Sequence, residues 1–245
     1  MTLNSIVIAA GGVGARMSSS LNPHKSKPLI EYGGKPLIHY LITSAKDAGI
    51  TEFFISVNEH NRKRIEAIAD SLGVRYKTRL TGENFAQVPA LFKDELDYKF
   101  LVVCGHDPVP TEHILALMEK SMTHDTVTTA YDNLYNTTTN RRRIRLHVTE
   151  EVQRFEMIDL DKDDVAEDHT YVRNPYVINQ YILDQVIRSN FSVTAGYFVY
   201  KSWMEGGKVA SVKAVMPVEF DTDTEFERTR QYLDTRFGLN IRSNL

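Results

Sequence analysis

The sequence predicts an α/β domain built on a mixed, mostly parallel central sheet with helices on both faces. Three observations predict it. Strand-like and helix-like segments alternate through the first half of the chain. The strand-like segments are continuous apolar runs of the kind buried on both faces, and the helix-like ones stop at glycine. Residues 5–10 open the chain as such a run. Pro36 then heads a helical stretch, residues 36–49, where proline suits the first turn and Gly49 supplies the stop. EFFISVN (52–58) reads as a second strand and residues 59–73 as a second amphipathic helix ending at Gly73. VRYKTR (74–79) is a short strand, KFLVVCG (99–105) another buried one, and TEHILALMEKS (111–121) a helix with Thr111 as its cap. DTVTTAYD (125–132) resumes strand character.

Residues 133–175 break this rhythm. Four arginines fall between positions 141 and 145, and nine acidic residues against two basic ones follow between 150 and 168. The stretch is expected to be an antiparallel excursion, an arm or lid inserted into a single domain spanning 1–245. Its charges read first as solvated surface, with a grip on an anionic substrate or a partner subunit as the sharper alternative. Beyond it, residues 177–190 read as a helix, 195–201 and 212–220 as strands, and 221–238 as a closing amphipathic helix.

Composition bounds the function classes. The 245 residues are 42% hydrophobic and 25% charged, with a net charge of −3. That balance suits a globular protein with a real core and gives no basic field for nucleic acid or an anionic membrane. The single cysteine, Cys104, excludes an internal disulfide and a multi-cysteine metal site. No signal-peptide pattern and no membrane-length apolar run occurs, so a cytoplasmic location is expected.

The chemistry concentrates first in AAGGVGARM (9–17). A dinucleotide fingerprint needs a third glycine at position 17, where the chain has Met17, and no Gly-x-x-x-x-Gly-Lys-Ser/Thr string exists. What remains is a strand, a Gly-Gly-x-Gly turn and an arginine. Glycines let a backbone approach phosphate and point N–H groups at it, and Arg16 adds a planar, permanently charged fork.

Downstream comes SKPLIEYGGKPLIHYLI, from Ser26 onward. Together the two strings resemble the N-terminal signature of the nucleotidyltransferases that make sugar nucleotides and related activated compounds. Ala10, Gly11, Gly12, Gly14, Arg16 and Met17 match its A-G-G-x-G-x-R-M/L block, residues 27–30 its K-P-L-I block, and residues 34–38 its G-K-P-L-I block. Ser26 stands where proline usually precedes the lysine. The resemblance implies a Rossmann-like (GT-A-type) domain and attack of an acceptor phosphate on the α-phosphorus of an NTP, with release of pyrophosphate. It places the loop and Arg16 on the distal phosphates and Lys27 on the α-phosphate. The implied partners are an NTP and a phosphorylated small molecule, the leading acceptor being a sugar 1-phosphate. Lys35 reads as part of the helix lead, and the role of Lys25 stays open.

The resemblance also implies magnesium held by two distant aspartates. Asp107 follows the buried strand 99–105 in a His106-Asp107-Pro108 turn, at the strand end where open α/β sheets bind ligands. The second is Asp221 in Phe220-Asp221-Thr222-Asp223, or Asp223 if the alignment shifts. Thr222 and Glu225 independently form a capping box for the last helix. On the acceptor side Gly196 and Lys213 are candidates, and Gln87 is the candidate base contact. Three other readings are compatible with the residues: a cytidylyltransferase for a polyol, alditol or other non-sugar phosphate, a non-catalytic relative, and a nucleotide-sugar-dependent glycosyltransferase. A homodimer using 133–175 as its arm is also compatible.

Overall fold

The computed structural model describes residues 3–81, 85–132, 142–148, 153–159, 170–188, 197–216, 220 and 222–237. The first half is built as the alternation predicts: β1 (Ser5–Ala9), a small hairpin β2 (Glu31–Tyr32) and β3 (Lys35–Pro36), α1 (Leu37–Asp47), β4 (Glu52–Val57), α2 (Arg62–Ser71), β5 (Arg75–Leu80), β6 (Lys99–Cys104), α3 (Thr111–Ser121) and β7 (Thr126–Asp132). An antiparallel hairpin follows, β8 (Arg142–Val148) and β9 (Gln153–Asp159). Then come β10 (Thr170–Asn179), α4 (Gln180–Arg188), α5 (Tyr197–Met204), β11 (Val209–Lys213) and α6 (Asp223–Phe237).

The main sheet runs β11-β7-β10-β6-β1-β4-β5, with β8 and β9 attached to β10. Only β10 runs against its neighbours along this path, so the sheet is mixed and mostly parallel. Strand alternation divides the core in two. Ile6, Ile8, Leu101 and Val103 face α1, α2 and α3, while Val7, Phe100 and Val102 face α4, α5 and the 3₁₀ segment Phe85–Glu95. Both faces are covered, which is why these strands read as unbroken apolar runs. Each such side chain contributes roughly 1.5–3 kcal/mol on full burial.

The departures from expectation have local causes. Residues 177–179 close β10 rather than open a helix. The Asn179 side chain caps α4 by accepting the N–H of Ile182 at 2.9 Å, so the helix begins at Gln180. Tyr197 to Val199, expected in a strand, begin α5: the aromatic run is β-prone by composition, but the buried pocket facing Tyr176 accepts Phe198 from a helix. The strand expected at 212–220 is β11, which starts at Val209 and ends at Lys213, where its parallel register with β7 ends. Thr111 does not cap α3. Pro110 takes the cap position with extended backbone, and the Thr111 hydroxyl donates to Ser44 O of α1 at 3.3 Å. Within 133–175, the described residues form β8, β9 and the first part of β10, whose residues 170–172 pair with both β7 and β8.

One buried histidine makes the fold pH-sensitive. His113 on α3 bonds through Nε2 to Thr129 Oγ1 at 2.9 Å, and that hydroxyl donates to Pro175 O at 3.1 Å. The single hydroxyl proton is thereby committed, so Nε2 is the donor and further protonation must occur at the other ring nitrogen. Burial lowers the His113 pKa from 6.5 to about 4, against a smaller raising effect of Glu112. Below pH 6.5 the unfolded chain takes up a proton that the folded one refuses, so stability falls as pH drops towards 4. The loss is about 2 kcal/mol at pH 5. Urea midpoints at pH 7.5 and 5 should differ less for His113→Gln than for the wild type. An equal difference would exclude His113 as the source.

Candidate active site

The site grows from the carboxyl ends of β1, β4, β5 and β6, which open on one edge of the sheet. β1 delivers the glycine loop there. Gly11 lies against the backbone after β5, and a Cβ on it would come 2.7 Å from Thr81 O. Gly14 has φ +61°, and its Cβ would press on Asn22 Nδ2 and Lys27 Cγ. Gly12 faces open space, as a close approach of ligand to backbone requires. The loop is shaped by contact on two sides and left open on the third.

Met17, the residue that breaks the dinucleotide pattern, is an anchor. It packs with Ile30, Tyr32, Leu37, Phe220, Phe226 and Leu233, a small core of its own beneath α6. Arg16 beside it is exposed on the loop. Lys27 heads a 3₁₀ turn, Lys27–Leu29, and donates from Nζ to Phe220 O at 2.7 Å. The Phe220 ring also lies 5.6 Å from that ammonium and packs edge-on against His106, with centroids 5.1 Å apart. Asp107 follows His106 at the end of β6 and is 5% exposed. The glycine loop, Lys27 and the His106-Asp107 turn therefore converge on Phe220, a residue to which no sequence motif drew attention. An aromatic residue directly before the Asp-Thr pair was the one available signal.

The C-terminal segment closes the site. Thr222 and Glu225 form the expected capping box: Glu225 N–H donates to Thr222 Oγ1 at 3.3 Å and Thr222 N–H to Glu225 Oε2 at 3.1 Å. Asp223 Oδ1 accepts the N–H of Ser18 at 3.0 Å, tying α6 to the glycine loop. Asp221 and Gly196 lie outside the described residues. Gln87 is exposed on the 3₁₀ segment after β5. Lys213 ends β11 on the same sheet edge but four strands from β1, about 19 Å at ordinary strand spacing, so it is not brought to the glycine loop. Lys35 belongs to the β2–β3 hairpin, whose turn residues Gly33 and Gly34 both have positive φ, and Lys25 has φ +46°. No cluster of three or more metal-ligating side chains occurs among the described residues. Magnesium on a triphosphate needs fewer: one or two carboxylates complete a shell made largely of phosphate and water oxygens. A buried carboxylate at Asp107, in the turn whose His106 packs on Phe220, fits that requirement.

A sequence profile for the MobA-like NTP transferase domain matches residues 6–135, more than half of the chain. The chain belongs to this family. The match to this NTP transferase domain takes in the glycine loop, Lys27 and Asp107. A bifunctional protein GlmU from Chromohalobacter salexigens is 30% identical over 122 residues, which is 49% of this chain and 26% of that protein. A 2-C-methyl-D-erythritol 4-phosphate cytidylyltransferase from Chlorobium luteolum is 39% identical over 75 residues, 30% of each. The chain thus aligns with less than a third of the length of these relatives. Among solved structures, the inositol-1-phosphate CTP transferase from T. maritima superposes with a TM-score of 0.73 and 15% identity, covering 96% of this chain and 98% of that one. At that identity the likeness is one of fold, and it extends over nearly the whole chain. No helix among the described residues is long and apolar enough to cross a membrane.

Proposed function

We propose that the protein is a magnesium-dependent nucleotidyltransferase that couples an NTP to a sugar 1-phosphate, giving a nucleotide-activated product and pyrophosphate. The observation that carries this reading is the convergence on Phe220 of Met17 at the end of the glycine loop, Lys27, and His106 of the His106-Asp107 turn, within a chain of the NTP transferase family. In the reaction an acceptor phosphate oxygen bonds to the α-phosphorus, the bridge to the β-phosphate breaks, and pyrophosphate leaves with that electron pair. Two anions must meet, so the enzyme's work is positioning and charge neutralisation rather than proton transfer. The N–H groups of the glycine loop and Arg16 hold the distal phosphates. Lys27 stands beside the loop to offset charge growing at the α-phosphate. Magnesium, held by Asp107 and Asp221, would supply charge neutralisation on the phosphates of both reactants.

A second reading, a cytidylyltransferase for a polyol phosphate, is favoured by the Chlorobium relative and by the His106-Asp107 pair. A pyrophosphate-release screen of CTP, UTP, GTP, dTTP and ATP against sugar 1-phosphates and polyol phosphates separates the two. The proposal expects one NTP to turn over best with a sugar 1-phosphate. Turnover only of CTP with a polyol phosphate would give the second reading, and no turnover of any pair with Mg²⁺ would overturn both.

A further inference from the structure

Three asparagines from two separate places in the sequence hold the glycine loop by its carbonyl groups. Asn61 Nδ2 donates to Ala10 O at 2.7 Å, Asn58 Nδ2 to Gly11 O at 3.0 Å, and Asn22 Nδ2 to Val13 O at 3.1 Å. The acceptor ends of these amides are also engaged. Asn61 Oδ1 takes the N–H of Asn58 at 2.9 Å, Asn58 Oδ1 takes those of His60 and Asn61, and Asn22 Oδ1 takes that of Ser26 at 2.7 Å. Asn61 also donates to Ser26 Oγ at 2.9 Å. The three amides and Ser26 are all buried, Asn61 and Ser26 completely.

The chemistry of this arrangement is directional. A peptide loop offers an anion alternating donors and acceptors, and every carbonyl turned towards phosphate repels it. Here the carbonyls of Ala10, Gly11 and Val13 are taken up from behind. Among the described residues, meanwhile, none of the N–H groups of residues 11–15 is spent on a described partner. We propose that Asn22, Asn58 and Asn61 act as positioning residues, a clamp that turns the carbonyls of Ala10, Gly11 and Val13 inward and leaves the N–H groups of residues 11–15 to face a polyphosphate. The inference rests on reading the loop as a triphosphate cradle. Amides suit the task because they donate without adding charge, so the field of Arg16 and Lys27 is left intact. Ser26 belongs to the same device: a proline there would have neither the N–H that Asn22 accepts nor the hydroxyl that receives Asn61. Through Ser26 the clamp also joins the loop to Lys27, fixing the two phosphate-binding segments to one frame.

The test is calorimetric binding of inorganic tripolyphosphate to the full chain at 10 °C. It compares wild type, Asn58→Ala and Asn61→Ala with Thr129→Val, which removes a buried hydroxyl far from the loop. Each asparagine variant should bind about tenfold more weakly, the scale of one lost hydrogen bond, while Thr129→Val binds like the wild type. Asn58 is less completely buried than Asn61 and is the milder substitution should Asn61→Ala fail to fold. In turnover the same loss enters as a higher KM for the nucleotide with the KM for the acceptor unchanged. A merely structural amide would lower the thermal midpoint and leave that split unmoved. Wild-type affinity in both asparagine variants, or an equal loss in Thr129→Val, overturns the clamp and leaves the cradle standing. No binding to the wild type overturns the cradle itself, and the clamp with it.

Discussion

Replacing Lys27 by Met should reduce kcat by about 10²–10³ while leaving the thermal midpoint within a few degrees of the wild type. The expectation follows from how the side chain is held. Its stem packs beside Gly14, and methionine can keep that packing with a similar unbranched chain. What is lost is the ammonium, which the Phe220 carbonyl fixes at 2.7 Å next to the glycine loop. The bond sets the position of the charge, and in the proposed reaction that charge acts where the α-phosphate gathers negative density. Arg16→Ala should also remove most of the activity, but with a different signature. Arg16 is exposed on the loop and is assigned to the distal phosphates, so its loss falls more on the KM for the nucleotide. Steady-state kinetics with the best NTP from the screen checks both. Near-normal kcat in Lys27→Met would remove Lys27 from the chemistry.

Asp107→Asn should abolish magnesium-dependent turnover without unfolding the protein. Asparagine is isosteric with aspartate, and the position is 5% exposed. The exchange keeps the shape and packing of the side chain, so the midpoint should move by no more than a few degrees. The catalytic effect has the opposite sign. An amide is a weak ligand for a hard cation, and two phosphates must then meet without the neutralising charge, at a cost of about 10² or more in rate. A magnesium titration followed by pyrophosphate release distinguishes the outcomes. An unchanged magnesium dependence in the variant would exclude Asp107 as a ligand.

The sequence was legible where one residue's neighbours in the chain decide its fate. β1 and β6 announce themselves because strands covered on both faces must be apolar throughout, and the Thr222–Glu225 box is a four-residue pattern with a local geometry. The glycine loop was legible for the same reason. What escaped depends on residues brought together by the sheet. Asn58 and Asn61 lie some fifty residues from the loop they hold, and nothing in VNEHNRKR marks them as its support. Phe220 was counted as the end of a strand, yet its carbonyl organises Lys27 from almost two hundred residues away and its ring packs on His106 from more than a hundred. α5 was misread because a run of aromatic and branched residues favours a strand until a buried partner such as Tyr176 decides otherwise. Asp-Thr-Asp offered two aspartates with no local reason to choose. The contact of Asp223 with Ser18 gives that residue a structural task of its own.

The ties between the last helix and the first loop also govern when the site comes into being. Ser18 and Asp223 are 205 residues apart, Tyr32 and Asp234 202, and Lys27 and Phe220 193. During synthesis the parallel strands β1, β4 and β6 can emerge and pair long before residues 220–237 leave the ribosome. Until then the loop lacks its partner at Ser18, Met17 lacks the far side of its small core, and Lys27 lacks the carbonyl that aims it. A ribosome-bound chain therefore carries the recognisable motif without the working site. Nucleotide binding at the proposed site would therefore wait on the emergence of residues 220–237.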